Sequence, residues 1–340
     1  MLIKCTAPIR ICDLGGWSDT WFSGTGKILN IAVFPPVEVQ VTTRRRHARE
    51  LGVTIHAENY QDSYQISANA RQWSKHPLIE AAFRSFSLPD DLHIEASIFS
   101  EAPVGASTGT SAAVSVAVLG ALDMVRGGSL TSNEIAAKAH HIETEVLNYQ
   151  SGIQDQLASA YGGINFIEMN RYPEAAVSPI YLGERTAWEL ESRLLLIYLG
   201  KPHSSSEVHQ SVIRRMERSK KYRALLEPLR LTAVKGKAAL LQGDLTAFGE
   251  TMITNTQCQQ SLHPDLLGER ARHVIQVAQR FDVQGWKLNG AGGAGGSVTL
   301  LMGPNTRQKH ALISAIEEAN PEYKNIPIRL APHGLRRWVV

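Results

Sequence analysis

Between Ser151 and Gly163 the chain reads S-G-I-Q-D-Q-L-A-S-A-Y-G-G, which sets one carboxylate, Asp155, at the start of a short helix. Leu157, Ala158 and Tyr161 repeat at helical spacing, Gly152 loosens the entry, and Gly162-Gly163 supplies the stop. The free amides of a helix N-terminus favour negative charge, so Asp155 is placed to accept or orient a hydroxyl proton. Taken alone, the same residue could simply balance the helix dipole.

Three further stretches bear on what Asp155 could act upon. Pro103-Val104-Gly105-Ala106-Ser107-Thr108-Gly109-Thr110-Ser111-Ala112-Ala113 joins small residues to the start of a helix. Small side chains let backbone N–H groups crowd a phosphate, and the helix N-terminus adds partial positive charge. Thr110 or Ser111 could ligate Mg²⁺ on a nucleotide. An ordinary N-cap on a buried helix is the plainer reading. The stretch is not a Walker loop, since no lysine follows its glycines as GK[ST] requires, and Gly26-Lys27 lacks a glycine five positions before Gly26.

Lys287 to Leu300 reads K-L-N-G-A-G-G-A-G-G-S-V-T-L. The β-branched run after Gly296 disfavours a Rossmann turn, which would open a helix there. A glycine loop between strands, Gly292 and Gly293 included, suits close approach of backbone to a ligand or another loop. Ala7 to Thr20 then carries Arg10 on a strand and Trp17, Ser18 and Asp19 in a glycine turn. Arginine offsets phosphoryl charge, while an aromatic plate and a carboxylate suit a hydroxyl-rich ligand such as a sugar. An Asp-capped strand end would look the same.

Positioning these groups takes more than one core. At 340 residues the chain is expected to form two packed α/β domains. Its 43% hydrophobic and 20% charged content is that of an ordinary globular protein. A net charge of +3 permits anionic small substrates and falls short of a nucleic-acid-binding face. Cys5, Cys12 and Cys258 form no CxxC pair, which points to a reducing compartment, the cytoplasm by default. The first ten residues do not resemble a signal peptide, and the apolar run Ala112 to Val125 is too short to span a bilayer, so no membrane partner is expected. Strands are predicted at 28–33 and 37–41, separated by Pro35-Pro36, and at 53–56, 92–96, 193–199, 285–288, 297–302 and 328–330. Helices are predicted near 78–86, 206–222, 227–241, 245–255 and 266–281. The natural boundary is Gly183-Glu184-Arg185-Thr186.

A-P-x-R near the start, P-x-G-A-x-x-G-x-S-A-A in the middle and K-L-x-G-A-G-G-x-G-G late resemble, in that order, the three signature motifs of the GHMP kinases, the galactokinase, homoserine, mevalonate and phosphomevalonate kinase superfamily. The resemblance implies a two-domain fold: residues 1–188 like ribosomal protein S5 domain 2 and residues 189–340 ferredoxin-like, with ATP and Mg²⁺ as cofactors. It assigns Asp155 and Arg10 to catalysis, and Pro103, Gly105, Ala106, Ser107, Thr108, Gly109, Thr110 and Ser111 to ATP. Glu143 and Ser111 are assigned to the metal, and Trp17, Ser18, Asp19, Asp155, Gly292 and Gly293 to the substrate. The departure from G-L-G-S-S in the middle motif leaves Thr110 and Ser111 both open as the metal ligand.

Gly152 to Gln156 with Tyr161 to Glu168 is most similar to the D-glycero-D-manno-heptose 7-phosphate kinases, as is Ser204-Ser205-Ser206-Glu207. Gly15-Gly16-Trp17-Ser18-Asp19-Thr20 is more similar to L-fucokinases and glucuronokinases. The expected activity is therefore transfer of the ATP γ-phosphate to a sugar hydroxyl, the anomeric one, with heptose 7-phosphate first and L-fucose or a uronic acid second. A silent ligand-binding relative and a kinase of homoserine or mevalonate are the rivals, and a homodimer is left open.

Three features tempt over-reading. His140-His141 beside Glu143 lacks the H-E-x-x-H pattern of a zinc helix. Arg44-Arg45-Arg46-His47 reads as a solvated turn before it reads as a sugar-phosphate grip. Ser204 with Glu207 reads as a capping box.

Overall fold

Two long strands, β1 (Leu2–Leu14) and β2 (Gly26–Arg45), pair antiparallel and carry the first core. In the computed structural model, which describes residues 1–47, 50–67, 72–202 and 207–340, their alternating apolar residues Ile3, Ile9, Ile11, Leu29, Ile31 and Val41 are all buried. The chain continues as β3 (Val53–Ala57), β4 (Asp62–Ile66), α1 (Pro77–Arg84), β5 (Leu92–Ser100), α2 (Thr110–Val125), α3 (Ser132–His141), α4 (Gln154–Tyr161), β6 (Ile164–Arg171), β7 (Glu174–Ile180) and α5 (Glu184–Arg193). Then follow β8 (Leu194–Tyr198), α6 (Glu207–Arg218), α7 (Lys220–Arg223), α8 (Leu226–Gln242), α9 (Leu245–Leu262), α10 (Glu269–Ala278), β9 (Val283–Leu288), β10 (Ser297–Met302), α11 (Lys309–Ala319), β11 (Lys324–Ile326), β12 (Arg329–Leu330) and β13 (Arg336–Val339).

The large sheet runs β13-β1-β2-β5-β3-β4, with β6 paired to the first half of β2, β7 paired to β6, and β12 to the middle of β2. The second sheet, β11-β8-β10-β9, is antiparallel throughout. Helix α2 is apolar almost all round and lies buried in the core of the large sheet, as the run from Ala112 to Val125 predicted. Helices α10 and α11 cover the small sheet through Val274, Val277, Leu312 and Ile316. Ala233 of α8 and Phe248 of α9 join the core of the large sheet, so the helices after β8 cement the two layers. The chain also returns: β12 and β13 add the last residues to the large sheet.

Several predicted bounds shift for physical reasons. Pro35-Pro36 does not divide two strands. Pro8 pairs with Pro36 and Ile9 with Val33, so Phe34 and Pro35 occupy a register shift where no ladder N–H is needed. The helix expected over 206–222 is two helices, because Ser219 takes an extended conformation and caps α7 by accepting from the Tyr222 amide. The suggested cap at Ser204, with Ser205 and Ser206, lies outside the described residues. The hairpin of β6 and β7 was not predicted.

The returning C-terminal segment crosses the end of α4 with no room to spare. Gly162 has φ +67° and ψ −172°, a region open essentially to glycine alone, and a Cβ there would sit 2.1 Å from the Gly334 nitrogen. Gly162→Ala should therefore cost about 1–3 kcal/mol of stability. A urea midpoint equal to that of the parent protein would refute this packing.

Candidate active site

Arg10, on β1, is 4% exposed and donates from Nε and Nη2 to the two oxygens of Asp155, at 2.8 and 3.0 Å. Such a bidentate pair fixes both groups. Its Nη1 donates to the Ser107 carbonyl, and its backbone N–H to the Thr108 carbonyl at 2.9 Å, so one residue ties β1, α4 and the loop before α2. Burial opposes the guanidinium charge, yet Asp155, aided by Asp13 and Asp19, carries Arg10 above its ordinary value.

The loop before α2 is shaped to receive an anion. Gly105 (φ +75°), Ser107 (φ +58°) and Gly109 (φ +69°) alternate in the left-handed region, the kind of alternation from which anion-binding nests are built. Gly109 caps α2, and a Cβ there would lie 3.3 Å from the Asp155 carboxyl, so the cradle abuts the acid. The Ser107 hydroxyl is buried with no hydrogen-bond partner. A phosphate oxygen would satisfy it.

Asp19 is 3% exposed and accepts from the Gln154 amide at 3.2 Å, which docks the first turn of α4 onto the turn after β1. Gly152 is needed beside it, since a Cβ would fall 2.1 Å from Asp19 Oδ2. Burial, and secondly the charge of Asp155, push the Asp19 carboxyl up to about 6. Trp17, held at φ +73°, lays its indole against the His209 ring of α6 at 4.9 Å.

Glu143 stands in a π-helical turn, Ile142–Val146, that follows α3; such turns often mark functional sites. It is buried, accepts from Gln156 Nε2 at 2.6 Å, and is pushed up to about 7 chiefly by burial, against the Ser151 and Gln156 hydrogen bonds. A carboxylate raised by burial is one that a cation would discharge. Ser111, exposed at the start of α2, lines the same cavity, and carboxylate and hydroxyl oxygens suit a hard ion such as Mg²⁺. Among the described residues no three His, Cys, Asp or Glu side chains are grouped to hold a metal, so the ion's shell would have to be completed by phosphate oxygens.

The loop between β9 and β10 closes the site from the second layer. Both oxygens of Asp13 accept from the Gly290 amide at 3.1 Å, and Lys287 Nζ lies 3.2 Å from Asp13. Neither side chain of this ion pair reaches water (0% and 2% exposed). The Cys12 amide donates to Asn289 Oδ1, and the Ser297 hydroxyl to the Ala106 carbonyl at 2.6 Å, so all three glycine-bearing stretches are stitched together.

Together these residues wall a cavity of about 390 Å³ lined by Arg10, Trp17, Asp19, Gly105 to Ser111, Glu143 and Asp155. Some predicted positions fall elsewhere. Gly290 and Ala291 line the cavity, whereas Gly292 and Gly293 do not: the Gly293 amide donates to the Leu266 carbonyl at 2.7 Å, and a Cβ on Gly292 would meet that oxygen at 2.5 Å. Those glycines serve packing against the turn that follows α9, at Pro264–Leu266. Ser18 is fully buried with its hydroxyl on the Gly15 carbonyl, and Pro103 accepts from the Ala106 amide; neither lines the cavity. Thr110 Oγ1 is 3.1 Å from Thr108 Oγ1, leaving Ser111 the more exposed hydroxyl. Arg44 pairs with Glu50 at the far end of β2, and His140 bonds the Tyr172 hydroxyl at 2.9 Å, with burial pushing it down to about 4.

Sequence reasoning missed Asp13 and the role of Lys287. A lysine in an otherwise apolar strand was the available signal. It also missed a second cavity, about 200 Å³, that shares Leu78, Gly105, Thr110, Ser111 and Tyr149 with the first and is walled by Ile79, Ile98, Val104 and Val114, with Asn59 at its edge.

An anion cradle abutting a clamped carboxylate, on a two-sheet α/β frame, defines a small-molecule phosphotransferase. Residues 77–163 match the GHMP kinases N terminal domain. The mevalonate kinase of Pyrococcus horikoshii is 31% identical over 72% of this chain and 68% of its own length. The D-glycero-alpha-D-manno-heptose 7-phosphate kinase of Campylobacter jejuni is 26% identical over 71% and 69%. The bifunctional fucokinase/GDP-fucose pyrophosphorylase of Arabidopsis thaliana is 25% identical over 93% of this chain, which spans about a third (31%) of that protein. The solved structure of a D-glycero-D-manno-heptose 1-phosphate kinase from Bacteroides thetaiotaomicron superposes with a TM-score of 0.76 over 99% of both chains, at 23% identity. The chain belongs to the GHMP kinase family, and it is an ATP-dependent kinase. Among the described residues no helix is long and apolar enough to cross a membrane.

The buried pair of Asp13 and Lys287 gives a direct test of how the site is held. Lys287→Met should destabilise the fold by about 3–5 kcal/mol by stranding a buried carboxylate, and adding Asp13→Asn should restore part of that loss. Additive losses in denaturant titrations of the two single variants and the double variant would show that the two side chains do not interact.

Proposed function

We propose that the protein transfers the γ-phosphate of ATP to a sugar hydroxyl, and that Asp155 and Arg10 carry the reaction. The observation that supports this most is the bidentate Arg10–Asp155 pair facing the Gly105–Ser111 amides across one cavity. Asp155 lies against the cradle at Gly109 and lines the same cavity as Asp19. The curated relatives that cover most of this chain bear the names of sugar kinases as well as mevalonate kinases. The pairing of Asp19 with Trp17 favours the sugar: a buried carboxylate accepts hydroxyl hydrogens, and an indole face receives a pyranose C–H face.

In this reading the polyphosphate lies along Gly105 to Gly109 and the N-terminus of α2, and the base enters the apolar second cavity. The acceptor hydroxyl sits against Asp155. Its oxygen forms the new bond to the γ-phosphorus as the bond from that phosphorus to the β–γ bridging oxygen breaks. The proton passes to an Asp155 oxygen and then to solvent. Arg10 holds Asp155 in place and offsets charge on the transferring group. Glu143 and Ser111 would hold Mg²⁺, which when bound neutralises phosphate charge. The anomeric hydroxyl, the most acidic of a sugar's hydroxyls, is the easiest for a carboxylate to deprotonate.

Asp155→Asn should lower kcat by about 10²–10⁴-fold while ATP still binds. ADP release at the parental rate would remove Asp155 from the chemistry. The acceptor KM should rise as pH falls from 7 to 5, because Asp19, raised to about 6, gains a proton in that window and loses acceptor capacity. In Asp19→Asn the acceptor KM should be high and flat over the same range; a pH response identical to the parent's would assign the titration to another group.

A further inference from the structure

We propose that the acceptor is a neutral, unphosphorylated monosaccharide, because among the described residues the wall that receives it offers carboxylates and apolar surface and no lysine or arginine left to pair with an anion; this rests on the sugar-kinase reading above. The acceptor side of the cavity is lined by Trp17, Asp19, Thr20, Phe22, His209 and Ile213. Trp17, Phe22 and Ile213 belong to one apolar cluster that bridges the turn after β1 and α6. Among the described residues Asp19 is held by backbone amides alone, that of Gln154 and its own, and so has lone pairs left for ligand hydroxyls.

Charge settles what those hydroxyls belong to. Among the described residues Arg10 is the only Lys or Arg lining the cavity, and its fork is spent on Asp155 and the Ser107 carbonyl. Lys287 is sealed behind the loop, bound to Asp13, Gln259 and the Leu288 carbonyl. The remaining basic side chain of the lining, His209, has its ring on the Trp17 indole. Arg44, Arg45 and Arg46, the run that could have gripped a sugar phosphate, do not reach the cavity. A phosphate monoester brings a charge of about −1.5 to −2 at neutral pH and recognition of it ordinarily enlists arginine or lysine. Here it would face the buried Asp19 carboxylate, and like charges repel more strongly where water is excluded. A uronate carboxylate meets the same obstacle. A neutral pyranose meets none: its hydroxyls donate to Asp19, and its C–H face covers Trp17.

The test is a steady-state ADP-release assay with ATP and Mg²⁺ on the full chain, using neutral hexoses, 6-deoxyhexoses and heptoses beside their phosphate esters and uronates. The expected result is turnover of at least one neutral sugar, with kcat/KM at least about 100-fold above that of its phosphorylated or carboxylated counterpart, roughly 2.7 kcal/mol of discrimination. Asp19→Asn, which removes one negative charge at constant shape, should narrow that ratio at least tenfold. Equal or preferred use of a sugar phosphate or a uronate overturns the proposal and leaves the sugar-kinase reading intact, and so does an Asp19→Asn ratio equal to the parent's. Turnover of mevalonate or homoserine with no sugar accepted, or no turnover of any sugar, overturns the sugar-kinase reading itself.

Discussion

A lysine and an aspartate with almost no access to water hold the site in register. Asp13 ends the strand that carries Arg10, and Lys287 ends the strand that opens the last glycine loop. Taking both charges out of water is expensive, and their attraction offsets the cost only with further hydrogen bonds. Those bonds exist: Asp13 also takes the Gly290 amide, and Lys287 also gives to Gln259. The consequence is geometric. With Gly290 fixed to Asp13, the second layer presses on Ser107, whose Cβ would lie 3.1 Å from a Cβ on Gly290. The loop thus sets the back of the cradle whose front meets Asp155. A charged pair specifies this junction more narrowly than apolar packing would, since only one register leaves neither charge stranded.

Glycine then decides how near the acid and the cradle can come. At Gly109 two demands coincide, a left-handed backbone and a 3.3 Å approach to Asp155, so any side chain would push the anion away from the group that must act beside it. Trp17 meets a comparable demand without being glycine. Its positive φ is a cost borne by a large aromatic residue, and it is held there because the indole is packed into the cluster of Phe22, Ile213 and Leu266. Strain of this kind is worth reading as a sign of function where the surroundings over-determine it.

Much of this was legible in the sequence because the relevant signals are local. Glycine spacing, a helix start at Asp155 and a buried apolar helix after Gly109 are written within a few residues each, and the structure places them as read. What was not legible depends on contacts across the chain. Asp13 and Lys287 are separated by most of the sequence, and neither alone differs from a solvated charge. Ser18 stands in the same motif as Trp17 and Asp19 yet faces inward to Gly15, because the turn needs a donor there. Gly292 and Gly293 share the composition of Gly290 but serve contact with Leu266, a distinction set by the turn after α9 rather than by the loop itself. Pro35-Pro36 reads as a break until the partner strand supplies a register shift to absorb it.

The same burial that makes Asp19 useful makes it costly. A carboxyl that is 3% exposed and, among the described residues, held by backbone amides alone is under-solvated, and its upward shift to about 6 records that penalty. Nothing in the fold requires a carboxylate there, since an amide side chain could accept from Gln154 equally well. In the proposed reading hydroxyl groups of the acceptor supply the missing donors, so part of the stabilisation absent from the free protein reappears on binding. Glu143, in the same cavity, is likewise raised by burial. In the proposed reading the chemistry of the two carboxyls, Asp19 toward hydroxyl donors and Glu143 toward a cation, separates the acceptor from the nucleotide.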